Sequence, residues 1–141
     1  MKPLTVVDLF SGCGGMSHGF HRQGDSYRII GAVDLELGKP GLGKSKATTT
    51  ECNLMYAKNI GITPKSADLS KLDPGTYRKE LGLARGELDV LISCAPCTGF
   101  SQKNANNHLV DDPRNYLIER TADFVEALRP EFLVIENVKE L

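Results

Sequence analysis

Two thiols three positions apart, in Cys94-Ala95-Pro96-Cys97, open three kinds of chemistry. A C-x-x-C pair supports thiol–disulfide exchange when it opens a helix that lowers one thiol's pKa. It is half of a tetrahedral zinc site when a second ligand pair stands at matching spacing. A single cysteine can instead be a covalent nucleophile, held in a rigid turn near an acid or base. Here the pair follows the apolar run ELDVLISC (87–94), and Pro96 anchors a turn through Cys97, Thr98 and Gly99. That is a strand end and no helix start, which disfavours redox exchange. His18 and His21 lie far upstream with no matching spacing, so no metal site is expected. Placement favours Cys97 as a nucleophile, with Glu136 at the end of the next apolar run, EFLVIENV (131–138), as its carboxylic partner. His108 falls in a polar stretch and reads as a loop surface residue.

Other candidates also sit where apolar runs end. DLFSGCGG (8–15) carries Gly12, Gly14 and Gly15, which permit positive φ and close backbone approach to a ligand. Its spacing is not G-x-G-x-x-G, so it does not imply a dinucleotide phosphate. Asp34 and Glu36 close the second run, a position where an acid accepts hydrogen bonds from a ribose diol. Asp68 closes a third, placed either to meet an adenine amino group or merely to cap a turn. Gly38–Ser45, GKPGLGKS, satisfies the phosphate-loop pattern G-x-x-x-x-G-K-[ST] without mismatch. Against a nucleotide triphosphate there, Asp34 and Glu36 would crowd carboxylates near it, and no apolar strand ends in a Walker B-type aspartate to hold magnesium, the fourth and fifth ending instead in Cys and Glu. A basic loop (Lys39, Lys44, Lys46) touching nucleic-acid phosphate is the preferred alternative.

The elements that must position these residues alternate. Strands are expected at 4–10, 27–36, 65–69, 87–94 and 131–138. Helices are expected near 14–23, 46–59, 74–82 and 114–129, the last with apolar positions every three or four residues. This order argues a doubly wound, mostly parallel α/β sheet, with ligands beyond the carboxyl ends of the strands at the topological switch point. Only three residues follow Val138, so the last strand is expected to lack a covering helix. A sheet ending on a bare apolar strand is an association hazard, which points to a truncated chain or to a second polypeptide completing the fold.

Bulk composition fits one soluble globular domain: 141 residues, 40% hydrophobic and 25% charged. Seventeen basic and 18 acidic residues leave a net charge of −1, no footprint for nucleic acid. Any DNA contact must be local or supplied by something else. No apolar run is long enough to span a membrane, and the first ten residues read as a strand rather than a signal peptide. Four cysteines without a secretory signal suggest free thiols in a reducing, cytoplasmic setting.

Three segments taken together, DLFSGCGGMSHGF, APCTGFSQ and ENVKEL, resemble the cytosine-C5 DNA methyltransferases. AVDLE, ADL and DDPRNYL add weaker matches, so the resemblance covers essentially the whole chain. It implies a Rossmann-like, S-adenosylmethionine-dependent fold in which residues 1–141 form one cofactor-binding and catalytic lobe, incomplete at the C-terminus. It also implies that double-stranded DNA presents a flipped cytosine. Cys97 attacks C6 of that base, Glu136 acts at N3, C5 takes the methyl group, and β-elimination frees the enzyme. A carboxyl acting at N3 benefits from a raised pKa in a site closed from water. By the same resemblance Asp8, Phe10, Ser11, Gly12, Cys13, Gly14 and Pro96 surround the cofactor. Asp34 takes its ribose, Leu35 packs on its adenine, Asp68 meets the adenine amino group and Leu117 packs nearby. Ser101, Gln102 and Lys103 are expected at the DNA.

Two departures stand out. Thr98 occupies the place where the family usually has Gln. The Gln-x-Arg-x-Arg motif, the target recognition region and the final helix of the family have no counterpart here. Their arginines and basic region would account for the modest charge, and the lobe is expected to be inactive alone. It would belong to a bacterial restriction-modification system acting at the nucleoid. Methylation of cytosine in tRNA, a phosphate-loop nucleotide-binding module at Gly38–Ser45, and a pseudo-enzyme that only binds cofactor are the competing expectations.

Overall fold

The computed structural model describes residues 1–37, 51–96 and 116–136. Among these residues five strands form one sheet: β1 (Leu4–Leu9), β2 (Tyr27–Asp34), β3 (Lys65–Ser66), β4 (Val90–Ser93) and β5 (Phe132–Ile135). Their order is β3-β2-β1-β4-β5, and every pairing is parallel. The chain winds outward from β1 to β3, then returns to place β4 on the other side of β1. The switch point therefore lies between the carboxyl ends of β1 and β4, where doubly wound sheets leave a crevice.

β1 is the central strand, so both its faces must be apolar. Val7 and Leu9 pack with Leu91, Phe124 and Leu128 on one side, while Val6 packs with Ile92, Tyr56 and Ile60 on the other. Each of these large side chains contributes roughly 1.5–3 kcal/mol through burial. Among the described residues four helices cover the two faces: α1 (Gly15–His21), α2 (Cys52–Ile60), α3 (Pro74–Glu80) and α4 (Tyr116–Leu128). α2 buries Asn53, Tyr56 and Ile60, and α4 buries Thr121, Phe124 and Leu128, one stripe apiece at helical spacing. α3 starts where Asp73 accepts the amide of Thr76 and Pro74 fills a first-turn position needing no N–H.

The expected elements all exist, with shorter strands. β4 begins at Val90, because Asp89 turns its carboxylate onto the amide and hydroxyl of Thr5 and bolts β1 to β4 at their starts. β3 is only two residues long, since Asp68 folds the chain into a turn directly afterwards. A single 3-10 turn at Gly24–Ser26 links α1 to β2. Gly31 in β2 allows α3 to lie close: a Cβ there would stand 2.6 Å from Leu81 Cδ2 and 2.7 Å from the Tyr77 hydroxyl. β5 is an edge strand on which Phe132, Leu133 and Ile135 are about half exposed.

Candidate active site

The turn after β1 is built by backbone geometry. Phe10, Gly12 and Gly14 all have positive φ. The Ser11 amide donates to the Val33 carbonyl, and the Gly14 amide returns to the Ser11 carbonyl. At Gly14 (φ +88°) a Cβ would lie 2.9 Å from the Tyr56 ring, so this position requires glycine for both conformation and space. The amides of the turn then lead directly into α1.

Beneath the turn lies a buried polar chain. Ser17 of α1 donates a 2.6 Å hydrogen bond to Asp8 Oδ2 and also contacts the Tyr56 hydroxyl at 2.7 Å. Burial raises the Asp8 pKa to about 6; the Ser17 hydrogen bond opposes this and the Asp34 charge adds to it. Burial likewise pushes the Tyr56 phenol above its ordinary range. Asp8 Oδ1, Ser11 Oγ and Asn53 Oδ1 are buried with no hydrogen-bond partner among the described residues. Two of those three atoms belong to the strand and turn that the sequence singles out for a ligand.

Asp34 closes β2 and uses both carboxylate oxygens on backbone, one on the Gly12 amide at 2.9 Å and the other on the Glu36 amide at 2.7 Å. An ionised carboxylate has about four acceptor positions, so hydroxyl donors can still be received. Glu36 in turn accepts the Asn53 amide at the start of α2. Leu35 between them is 41% exposed, an apolar surface available at the crevice. Asp68 takes the amide and hydroxyl of Ser70 on one oxygen and pairs with Lys71 on the other. The Ser70 hydroxyl and these further contacts hold its carboxyl below the usual carboxylate range against a smaller opposing effect of burial. Arg120 of α4 fixes the following loop by donating to the Leu69 and Leu72 carbonyls.

On the other side of the switch point, the Cys94 amide donates to the Leu9 carbonyl, so the segment after β4 runs beside the glycine turn. The half-buried Cys94 thiol is pushed up, first by burial and then by the Asp8 charge, with Glu136 also acting on it through a backbone hydrogen bond and its charge. Ser93 pairs with Ile135 in the strand register, which sets Glu136 next to Cys94. Pro96 is exposed, and Leu117 is half-buried on α4. Cys97, Thr98, Ser101, Gln102, Lys103 and the phosphate-loop pattern Gly38–Ser45 lie outside the described residues. Cys13 is exposed and its side chain meets Cys52, leaving its backbone to face any ligand of the turn. Sequence reasoning did not find Ser17, Tyr56 or Cys52. Ser17 and Tyr56 signalled themselves only as polar groups on the buried stripe of a helix, Cys52 is a half-buried thiol at the start of α2, and their partners are far along the chain. A cavity of about 580 Å³ lined by Lys2, Thr5, Arg28, Leu83 and Glu87, among others, opens at the opposite ends of β1 and β2, away from these groups.

The fold is a Rossmann-like, doubly wound parallel α/β sheet. The S. pombe Dnmt2 methyltransferase structure overlays with a TM-score of 0.60 at 20% identity, covering 96% of this chain and 36% of that one. The Entamoeba histolytica methyltransferase EhMeth overlays at 0.66 with 19% identity, covering 99% and 39%. Residues 4–141 match the family model for C-5 cytosine-specific DNA methylases, and the chain belongs to that family. Among curated relatives, the type II methyltransferase M.DdeI of Desulfomicrobium norvegicum is 34% identical over 135 residues, 96% of this chain and 28% of the relative. DNA (cytosine-5)-methyltransferase 1 of Gallus gallus is 29% identical over 148 residues, 99% of this chain and 9% of the relative. The chain thus spans under a third of the length of these relatives.

Proposed function

We propose that this chain is the cofactor-binding and catalytic-cysteine lobe of a DNA cytosine-C5 methyltransferase. The observation that carries the reading is convergence: the Asp8–Gly14 turn, the segment through Pro96 and Glu136 meet at one switch point, in a chain matched to the family over residues 4–141. S-adenosylmethionine, when bound, supplies the electrophilic methyl group.

The residues present suit that cofactor. Asp8 Oδ1 and Ser11 Oγ are buried polar atoms in want of partners, fitting the ammonium and carboxylate of a methionine moiety. Phe10, Gly12, Cys13 and Gly14 would contribute the backbone wall around it, with Pro96 across the crevice. Asp34 would take ribose hydroxyls, Leu35 and Leu117 would pack near the adenine, and Asp68 would take its amino group. On the substrate side, the Cys97 thiolate would attack C6 of a flipped cytosine in duplex DNA, forming the C–S bond. Glu136 would hold the proton at N3 that offsets charge on the ring. Loss of the C5 proton and breakage of the C–S bond would then restore the thiol. Ser101, Gln102 and Lys103 would contact DNA, and the recognition surface would come from the portion of the relatives beyond this lobe, in the same or a second chain. Alone, the lobe would be inactive, and the assembled enzyme would work in the bacterial cytoplasm at the nucleoid.

Calorimetric titration of the chain with S-adenosylhomocysteine and with ATP–magnesium tests the first half. Binding of the former only is expected, and tight ATP binding without the homocysteine compound sinks the reading. The second half is read with 5-fluorocytosine duplex DNA, S-adenosylmethionine and a supplied recognition segment. A denaturation-resistant adduct should form and vanish in Cys97→Ser; an adduct surviving that change removes Cys97 from the mechanism.

A further inference from the structure

Cys13 and Cys52 are 39 residues apart in sequence, yet their Sγ atoms stand 2.7 Å apart. Neither belongs to the C-x-x-C motif. Cys13 lies in the glycine turn between Gly12 and Gly14, both with positive φ, and Cys52 opens α2. Two neighbouring acids hold the backbones that carry these thiols. Asp34 accepts the amide of Gly12, one residue before Cys13, and Glu36 accepts the amide of Asn53, one residue after Cys52. The Glu36 amide donates back to Asp34, so the two grips are linked to each other. The thiols are thus set face to face by the fold itself. A disulfide needs sulfurs at about 2.05 Å, so the bond requires a shift of less than about 1 Å.

We infer that Cys13 and Cys52 form a reversible disulfide that clasps the glycine turn to the start of α2. With a low-molecular-weight disulfide such as oxidised glutathione as oxidant, one protein thiol loses its proton and attacks a glutathione sulfur. That step breaks the glutathione S–S bond, releases one glutathione thiolate and leaves a mixed disulfide. The second protein thiol loses its proton and attacks the protein sulfur of that mixed disulfide, releasing the second glutathione. Two electrons pass from the protein thiols to glutathione disulfide, and the two protons end on the glutathione thiols. Excess dithiol reverses both steps. The exposure of Cys13 gives the oxidant access.

The test equilibrates the whole chain in oxidised and in reduced glutathione buffers, blocks free thiols by alkylation, and maps cysteines by peptide mass. The oxidised sample should yield a Cys13–Cys52 linked peptide, two hydrogens lighter than its reduced parts, that disappears on reduction and in either Cys13→Ser or Cys52→Ser. Because the wild-type map is sufficient, the assignment does not depend on the variants folding. Alkylation of both cysteines in the oxidising buffer, with circular dichroism still native, overturns the proposal, as does predominant linkage to Cys94 or Cys97. Closing so long a loop should also raise the Tm of the oxidised chain by about 5 °C or more over the reduced one. Equal melting overturns the clasp. None of these readouts involves methyl transfer, so failure here leaves the proposed function standing.

Discussion

Burying the Asp8 side chain is costly. The residue is 1% exposed, its carboxylate takes a hydrogen bond from Ser17, and Oδ1 has no partner among the described residues. With a folded pKa near 6 against an ordinary 3.8, the native chain holds a proton that the unfolded chain releases between those values. Stability from this group therefore falls as pH rises from about 4 to 6, and the full penalty, about 3 kcal/mol, applies above that window. Asp8→Asn keeps an acceptor for Ser17 and removes the charge. Urea unfolding should show the variant about 1–3 kcal/mol more stable than wild type at pH 8, with little difference at pH 4. A variant less stable at pH 8 refutes the assignment of burial as the dominant effect. If Asp8 Oδ1 takes the cofactor's ammonium as proposed, the same variant should also bind S-adenosylhomocysteine more weakly.

At the scale of elements, the β1–α1 turn rests on two glycines of unequal strictness. Gly12 (φ +49°) has open space where a Cβ would go, whereas Gly14 (φ +88°) faces the fully buried Tyr56 ring. Gly12→Ala should cost only the left-handed strain, about 1–2 kcal/mol. Gly14→Ala adds overpacking against Tyr56 and should cost about 2–5 kcal/mol in total. Guanidinium denaturation of the two variants checks the order, and equal losses would show that Tyr56 moves aside freely. The Tyr56 hydroxyl ties α2 to Ser17 and so to Asp8, which couples helix packing to the strand that leads into the glycine turn. Tyr56→Phe keeps the packing and removes that hydrogen bond. A loss of about 1 kcal/mol is expected in the same assay, and no loss would mean that the hydroxyl does not hold the network together.

At the scale of the whole molecule, the described residues combine a well-covered sheet centre with an exposed edge strand. Phe132, Leu133 and Ile135 on β5 are about half exposed, and a net charge of −1 gives little electrostatic repulsion between copies. The 141-residue chain should therefore associate with rising concentration. Leu133→Lys, at the edge and 43% exposed, should shift sedimentation toward monomer with unfolding free energy changed by less than about 1 kcal/mol. Undiminished association in that variant places the contact elsewhere. A supplied partner segment that covers β5 should have the same effect as the lysine.

Local spacing determined much of this protein. Strand and helix alternation gave the α/β class, because apolar periodicity reports burial on one or two faces without reference to distant residues. The glycines after β1 and the acids at 8, 34, 36 and 68 were readable for the same reason: strand ends are where backbone turns and ligands meet. Sequence also supplied Cys97 as candidate nucleophile, a residue outside the described part of the structure. Only the tertiary structure decided which distant groups share a neighbourhood. It set β4 beside β1, making the switch point, and joined Asp34 to Gly12 and Asp8 to Ser17 and Tyr56. It also brought the Cys13 and Cys52 thiols, 39 positions apart, within 2.7 Å of each other. Contacts of that kind depend on helices packed against a sheet, and no local pattern of residues encodes them.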